Sequence, residues 1–170
     1  MSTPSAVSQP DAVYPPEKQS SLLVIVYGNP TYGDDTIDCE ITTLLQGLEL
    51  PNVEVCTVEQ LTPELSSKLA KVDYAIFVHA CWMTTDLKIT AIEACGLQSA
   101  GSSAPGSGPS WPPCSLLALT HSVYGHYPRS WWVKIASQNL VTGHHPSHQM
   151  IHDDVEQIKN LIHECIQSES

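Results

Sequence analysis

Basic residues are scarce in this chain. Its 170 residues carry 7 Lys+Arg against 18 Asp+Glu, a formal net charge of -11. Partners that need a basic footprint, nucleic acid or an anionic membrane, are therefore not expected. The excess negative charge is also what keeps a protein soluble. Long apolar runs are missing too. None approaches the roughly 18 residues of a membrane span, and the first residues lack the basic and apolar regions of a signal peptide. No Cys-x-x-Cys pair occurs among Cys39, Cys56, Cys81, Cys95, Cys114 and Cys165, so a zinc knuckle or redox dithiol is not expected. Six free thiols in a reducing, cytoplasmic setting are the expectation instead. No Gly-x-Ser-x-Gly elbow, phosphate loop or internal repeat is present.

What is present suits one folded domain, since 42% of the residues are hydrophobic. Residues 1–20 contain four prolines and read as a flexible tail. Residues 21–27 are a short apolar run rich in β-branched side chains, the pattern of a buried strand. Gly28-Asn29-Pro30 breaks it. Asp34 and Asp35 precede a helical stripe of Ile37, Ile41, Leu44, Leu45 and Leu48. This acidic pair has two readings, a helix cap with a dipole partner or a functional pair at the carboxyl end of a first strand, where open α/β sheets place ligands.

Val53–Val58 predicts a second strand, and Thr62-Pro63-Glu64 a helix start. Asp73–Val78 predicts a strand ending at His79, Thr85–Gly96 a helix, Ser115–Thr120 a strand ending at His121, and Trp131–Ala136 the last strand. Residues 98–114 have linker composition, either a flap carrying Trp111 or a neutral insertion. A helix over 148–166 closes the chain, with Ile151, Val155, Ile158, Ile162 and Cys165 on one face. The alternation predicts an α/β domain over 21–170, with a mostly parallel twisted sheet of about five strands and helices on both faces.

Asp35, His79 and His121 would each follow a strand end, and parallel neighbours would bring them to one rim. One carboxylate and two imidazoles suit zinc or nickel; each group could equally close its strand with a hydrogen bond. His144, His145, His148 and His152 form a second cluster, read as a solvated helix start. Trp111, Trp131 and Trp132 suit core packing as well as a peptide groove.

Val26-Tyr27-Gly28-Asn29 followed by Gly33-Asp34-Asp35, then His79-Ala80 after a strand, then Leu119-Thr120-His121, resemble the motifs of the hydrogenase maturation endopeptidases. Pro128, Trp131–Ala136 and Gly143–Ser147 resemble weakened forms of that family's later motifs. The resemblance implies an α/β metal-dependent endopeptidase that removes the C-terminal extension of a nickel–iron hydrogenase large-subunit precursor. It places the metal contacts on Asp35, His79 and His121, which would also be the catalytic residues. Nickel would arrive in the precursor, with zinc or another divalent ion as surrogate. The expected partner is that precursor, and the expected state a cytoplasmic monomer. His79 stands where the family has Asp, Tyr27 replaces a Gly, and Thr36 and Asp38 stand where the helix start usually has small residues. These departures, with the 98–114 insertion, leave open a non-catalytic homologue that binds the same partner. An unrelated α/β protein with structural rim groups is the third reading.

Overall fold

The computed structural model describes residues 20–28, 35–81, 86–95, 111–136 and 148–168, with backbone only at 35, 36, 38, 81 and 148. The expected tail, most of the expected insertion, Gly96, the Gly143–Ser147 motif and two of the clustered histidines lie outside these residues.

Strand β1 (Leu22–Tyr27) is buried along its whole length, as a central parallel strand covered on both faces must be. It pairs in parallel with β2 (Val53–Val58) on one side and β3 (Tyr74–Cys81) on the other. β5 (Arg129–Ala136) adds in parallel to β3, and β4 (Lys88–Ile92) closes that edge antiparallel to β5. The order is β2-β1-β3-β5-β4. The mostly parallel five-strand sheet expected from the sequence is present.

Side-chain alternation splits the core in two. Leu22, Val24, Val26, Ile76, Val78 and Ile135 meet helices α1 (Asp35–Gly47) and α4 (His148–Gln167). Ile37, Ile41 and Leu45 face inward from α1, and Ile151, Val155, Ile158 and Ile162 from α4. On the other face Leu23, Ile25, Tyr27, Ala75 and Phe77 meet the 3₁₀ turn Pro63–Leu65, the short helix α2 (Ser66–Leu69) and α3 (Pro113–Tyr124).

Two segments depart from the sequence expectation. Thr85–Gly96 holds strand β4, not a helix. Its core alternates, with Ile89 and Ala91 opposite Val133 and Trp131 and with Thr90 and Ile92 opposite Trp132 and Ser130. The free edge of β5 takes it up. Ser115–Thr120 lies in α3, not a strand. Leu and Ala carry no β-branch, and Pro113 has its fixed φ and missing N–H at the first turn, where both are harmless. Gly125 ends the helix with φ 81° and donates its N–H to the His121 carbonyl, a conformation that favours glycine. Cys114, the last residue of the expected insertion, lies inside this helix.

A third departure is covalent. Cys95, just after β4, is bonded to Cys114 in the first turn of α3, against the expectation of six free thiols. Cys39, Cys56 and Cys165 are free. The bridge spans a sequence separation of 19, and closing a loop of that size restricts the unfolded chain by about 3 kcal/mol. Replacing both cysteines by serine is expected to lower unfolding stability by about that amount. Denaturant curves of the variant should match those of the wild type under reductant.

Asp154 on α4 has its carboxyl pushed up from 3.8 to about 6, first by burial and then by the neighbouring Asp153. The folded state binds the proton more tightly than the unfolded one, so stability falls as pH rises from 4 to 6. The full shift corresponds to about 3 kcal/mol, and partial exposure reduces it to about 1 kcal/mol. Asp154→Asn should therefore stabilise the chain by about 1 kcal/mol at neutral pH and by nothing below pH 4, read from urea midpoints.

Candidate active site at the carboxyl edge of the sheet

β1, β2, β3 and β5 all run toward one edge, and β3 delivers His79 there, two residues before its end at Cys81. His79 lies opposite Tyr27 on one side and Lys134 on the other. Its imidazole stacks on the Tyr27 ring, centroids 4.6 Å apart and planes 10° apart. Nδ1 lies 3.0 Å from the Tyr27 carbonyl oxygen. A carbonyl only accepts, so Nδ1 carries the proton in this bond. The neutral ring then presents Nε2 as a lone pair. A backbone acceptor on the far nitrogen is the device that orients histidines serving as metal ligands or bases.

Burial is the main cause holding His79 below its ordinary value of 6.5; the bond to Tyr27 opposes it, and the positive charge of Lys134 adds to it. The imidazole is thus neutral at pH 7 and available to accept a proton. The unfolded chain binds this proton more readily than the folded one. Stability should therefore decline as pH falls below 6.5 toward the folded value. His79→Gln should flatten that part of a plot of Tm against pH.

Asp35 is the first residue of α1, the helix that follows β1. His79 is on β3, the strand next to β1, and the Asp35 side chain lies outside the described residues. His121 does not join His79. It sits in the last turn of α3, exposed, with its ring edge-on to Tyr127 at 5.7 Å. Tyr127 comes two residues before Arg129, which pairs with Tyr74 at the start of β3. His126 beside it meets the Ala70 carbonyl at 2.7 Å, where α2 has ended and the chain is about to enter β3. Both contacts place His121 at the amino edge. The five residues from Tyr74 to His79 put it about 16 Å from His79 along the strand direction. The reason is the helical state of Ser115–Thr120, since α3 carries the chain back across the sheet instead of ending at the rim.

The three-ligand set expected from the sequence is therefore not assembled. Among the described residues no three His, Cys, Asp or Glu side chains lie close enough to hold a metal ion. What the edge does assemble is a row that sequence reading missed: Tyr27, His79, Lys134 and Lys88, opposite one another across β1, β3, β5 and β4. The signal was the alternation in β4, which also decides which residues neighbour His79. Trp132 lies one pair inward on the same face, with the Lys134 ammonium 4.1 Å from its ring centroid, a cation–π contact. Trp131 packs on the opposite face and Trp111 against the α3 side.

The fold is similar to that of solved hydrogenase maturation endopeptidases. A NiFe hydrogenase maturation protease, HycI, from Thermococcus kodakarensis superposes with a TM-score of 0.57 at 17% identity, covering 89% of this chain and 95% of its own. The hydrogenase maturating endopeptidase HybD from E. coli gives 0.58 at 18% identity, covering 88% and 99%. A hydrogenase 2 maturation peptidase from a Thaumarchaeota archaeon gives 0.53 at 19%, covering 87% and 99%. No protein-family model and no curated protein matches the sequence. The resemblance read in the sequence is thus carried by the fold. No helix among the described residues is long and apolar enough to cross a membrane.

Proposed function

We propose that the chain is a peptidase of the hydrogenase-maturation type, acting in the cytoplasm on the C-terminal extension of a nickel–iron hydrogenase large-subunit precursor. The observation that carries this reading is His79. It is a neutral imidazole with its tautomer fixed by the Tyr27 carbonyl. This leaves Nε2 without a hydrogen-bond partner among the described residues, near the carboxyl ends of the strands, where open α/β sheets receive ligands. In this role Nε2 takes the proton of the attacking water, or contacts the nickel that the precursor brings, and Asp35 supplies the second contact. The ion in this reading belongs to the substrate, and zinc is the natural surrogate for the same donors.

The position of His121 supports a second reading. With that imidazole at the opposite edge and a His in place of the family's Asp at 79, the chain would bind the precursor as an assembly factor without cutting it. One experiment separates the two. The chain is incubated with nickel-loaded precursor, and the product mass and complex formation are measured together. Loss of the tail with wild type, and not with Asp35→Ala, supports the peptidase. A stable complex with an intact tail supports the binding module, and neither event overturns both.

A further inference from the structure

Lys88 and Lys134 stand directly opposite each other across β4 and β5, and side-chain alternation puts both on the face of Trp132 and His79. Like charges directly opposite in a sheet repel. The chain has 18 carboxylates for 7 Lys+Arg, yet among the described residues none pairs with either lysine. The ion pairs there join Lys68 to Glu54 and Lys159 to Glu156, and Asp86, exposed two residues before Lys88, bonds to neither. A second unmet demand lies one pair inward: Trp132 Nε1 is a buried donor without an acceptor. Donors and positive charge thus gather at one corner of an acidic protein. They do so on the terminal strand, whose residues 88–91 are exposed and to whose outer edge, among the described residues, no backbone group bonds.

We propose that this corner is the docking surface for an acidic, extended peptide segment of a partner, lying along β4 with its carboxylates on Lys88 and Lys134. An extended segment can add to the open edge through main-chain bonds, and charge complementarity sets which segments are held. The inference deepens the peptidase reading, on which it rests for identifying the segment as part of the precursor beside the bond presented to His79.

The test uses the full chain, ¹⁵N-labelled, titrated with N-acetyl hexaglutamate amide and separately with its glutamine counterpart. The glutamate peptide is expected to saturate, with shifts concentrated at His79, Lys88, Lys134 and the Trp132 indole N–H. Lys88→Gln with Lys134→Gln should weaken it by at least about tenfold, with the remaining amide spectrum showing the variant folded. If the variant does not fold, each single change should weaken binding by a smaller factor in the same direction. Equal binding of the glutamine peptide, shifts gathered elsewhere, or folded lysine variants with unchanged affinity would overturn the proposal. Binding is read without turnover. An intact precursor tail would therefore count against the peptidase alone, and a hexaglutamate that fails to bind against this surface alone.

Discussion

His79→Ala is expected to remove about two to four orders of magnitude from precursor cleavage, the usual share of a positioned general base, while His121→Ala leaves the rate unchanged. The contrast comes from placement. Two histidines that look equivalent in the sequence, each closing an apolar run, are separated by about the length of a strand. One is partly buried, stacked on Tyr27 and fixed by a carbonyl; the other is exposed at the far edge, touching Tyr127. The measurement is single-turnover tail loss, followed by mass, for wild type and both variants. Equal losses for the two histidines would mean that the carboxyl edge is not where the chemistry occurs. Loss confined to His121→Ala would restore the site as the sequence alone suggests it.

The largest stability effect belongs to Phe77→Ala, at about 3–5 kcal/mol. Phe77 is fully buried, two residues before His79 on the same face, and sits among Leu23, Ile25, Leu116 and Leu117 in the core against α2 and α3. Removing the ring leaves a cavity in the cluster that Leu116 and Leu117 of α3 share with the sheet. A loss of that size is a large part of a domain's whole stability, so the variant should unfold at markedly lower urea. A drop under about 1 kcal/mol would show this side of the core to be far more compliant than close packing allows.

β1, α1, β2, β3, β5 and α4 were legible because each repeats one local signal along its whole length. Leu22–Tyr27 is apolar on both faces, and Ile151, Val155, Ile158 and Ile162 hold a helical period. Thr85–Gly96 and Ser115–Thr120 were misread in opposite directions. The first contains apolar residues spaced for either structure, and its state was decided by a neighbour, the unpaired edge of β5, that no local pattern reports. The second holds a four-residue apolar run, Leu116–Leu119, that periodicity cannot assign; Pro113 before it and Gly125 after it are the informative residues. The site inherited this error. His79 could be placed from its strand alone, whereas His121 depended on reading 115–120 correctly, and Lys88 became visible as a neighbour of Lys134 only once β4 was a strand.

Cys95 and Cys114 make a covalent ring of everything between them. A cut in the backbone anywhere inside that ring would leave two pieces travelling as one on a denaturing gel and weighing the intact chain plus one water. Only after thiol treatment would they part. Any assay that follows this protein by size, including one in which it is itself exposed to a peptidase, therefore needs paired samples with and without reductant before an unchanged band is taken to mean an unbroken chain.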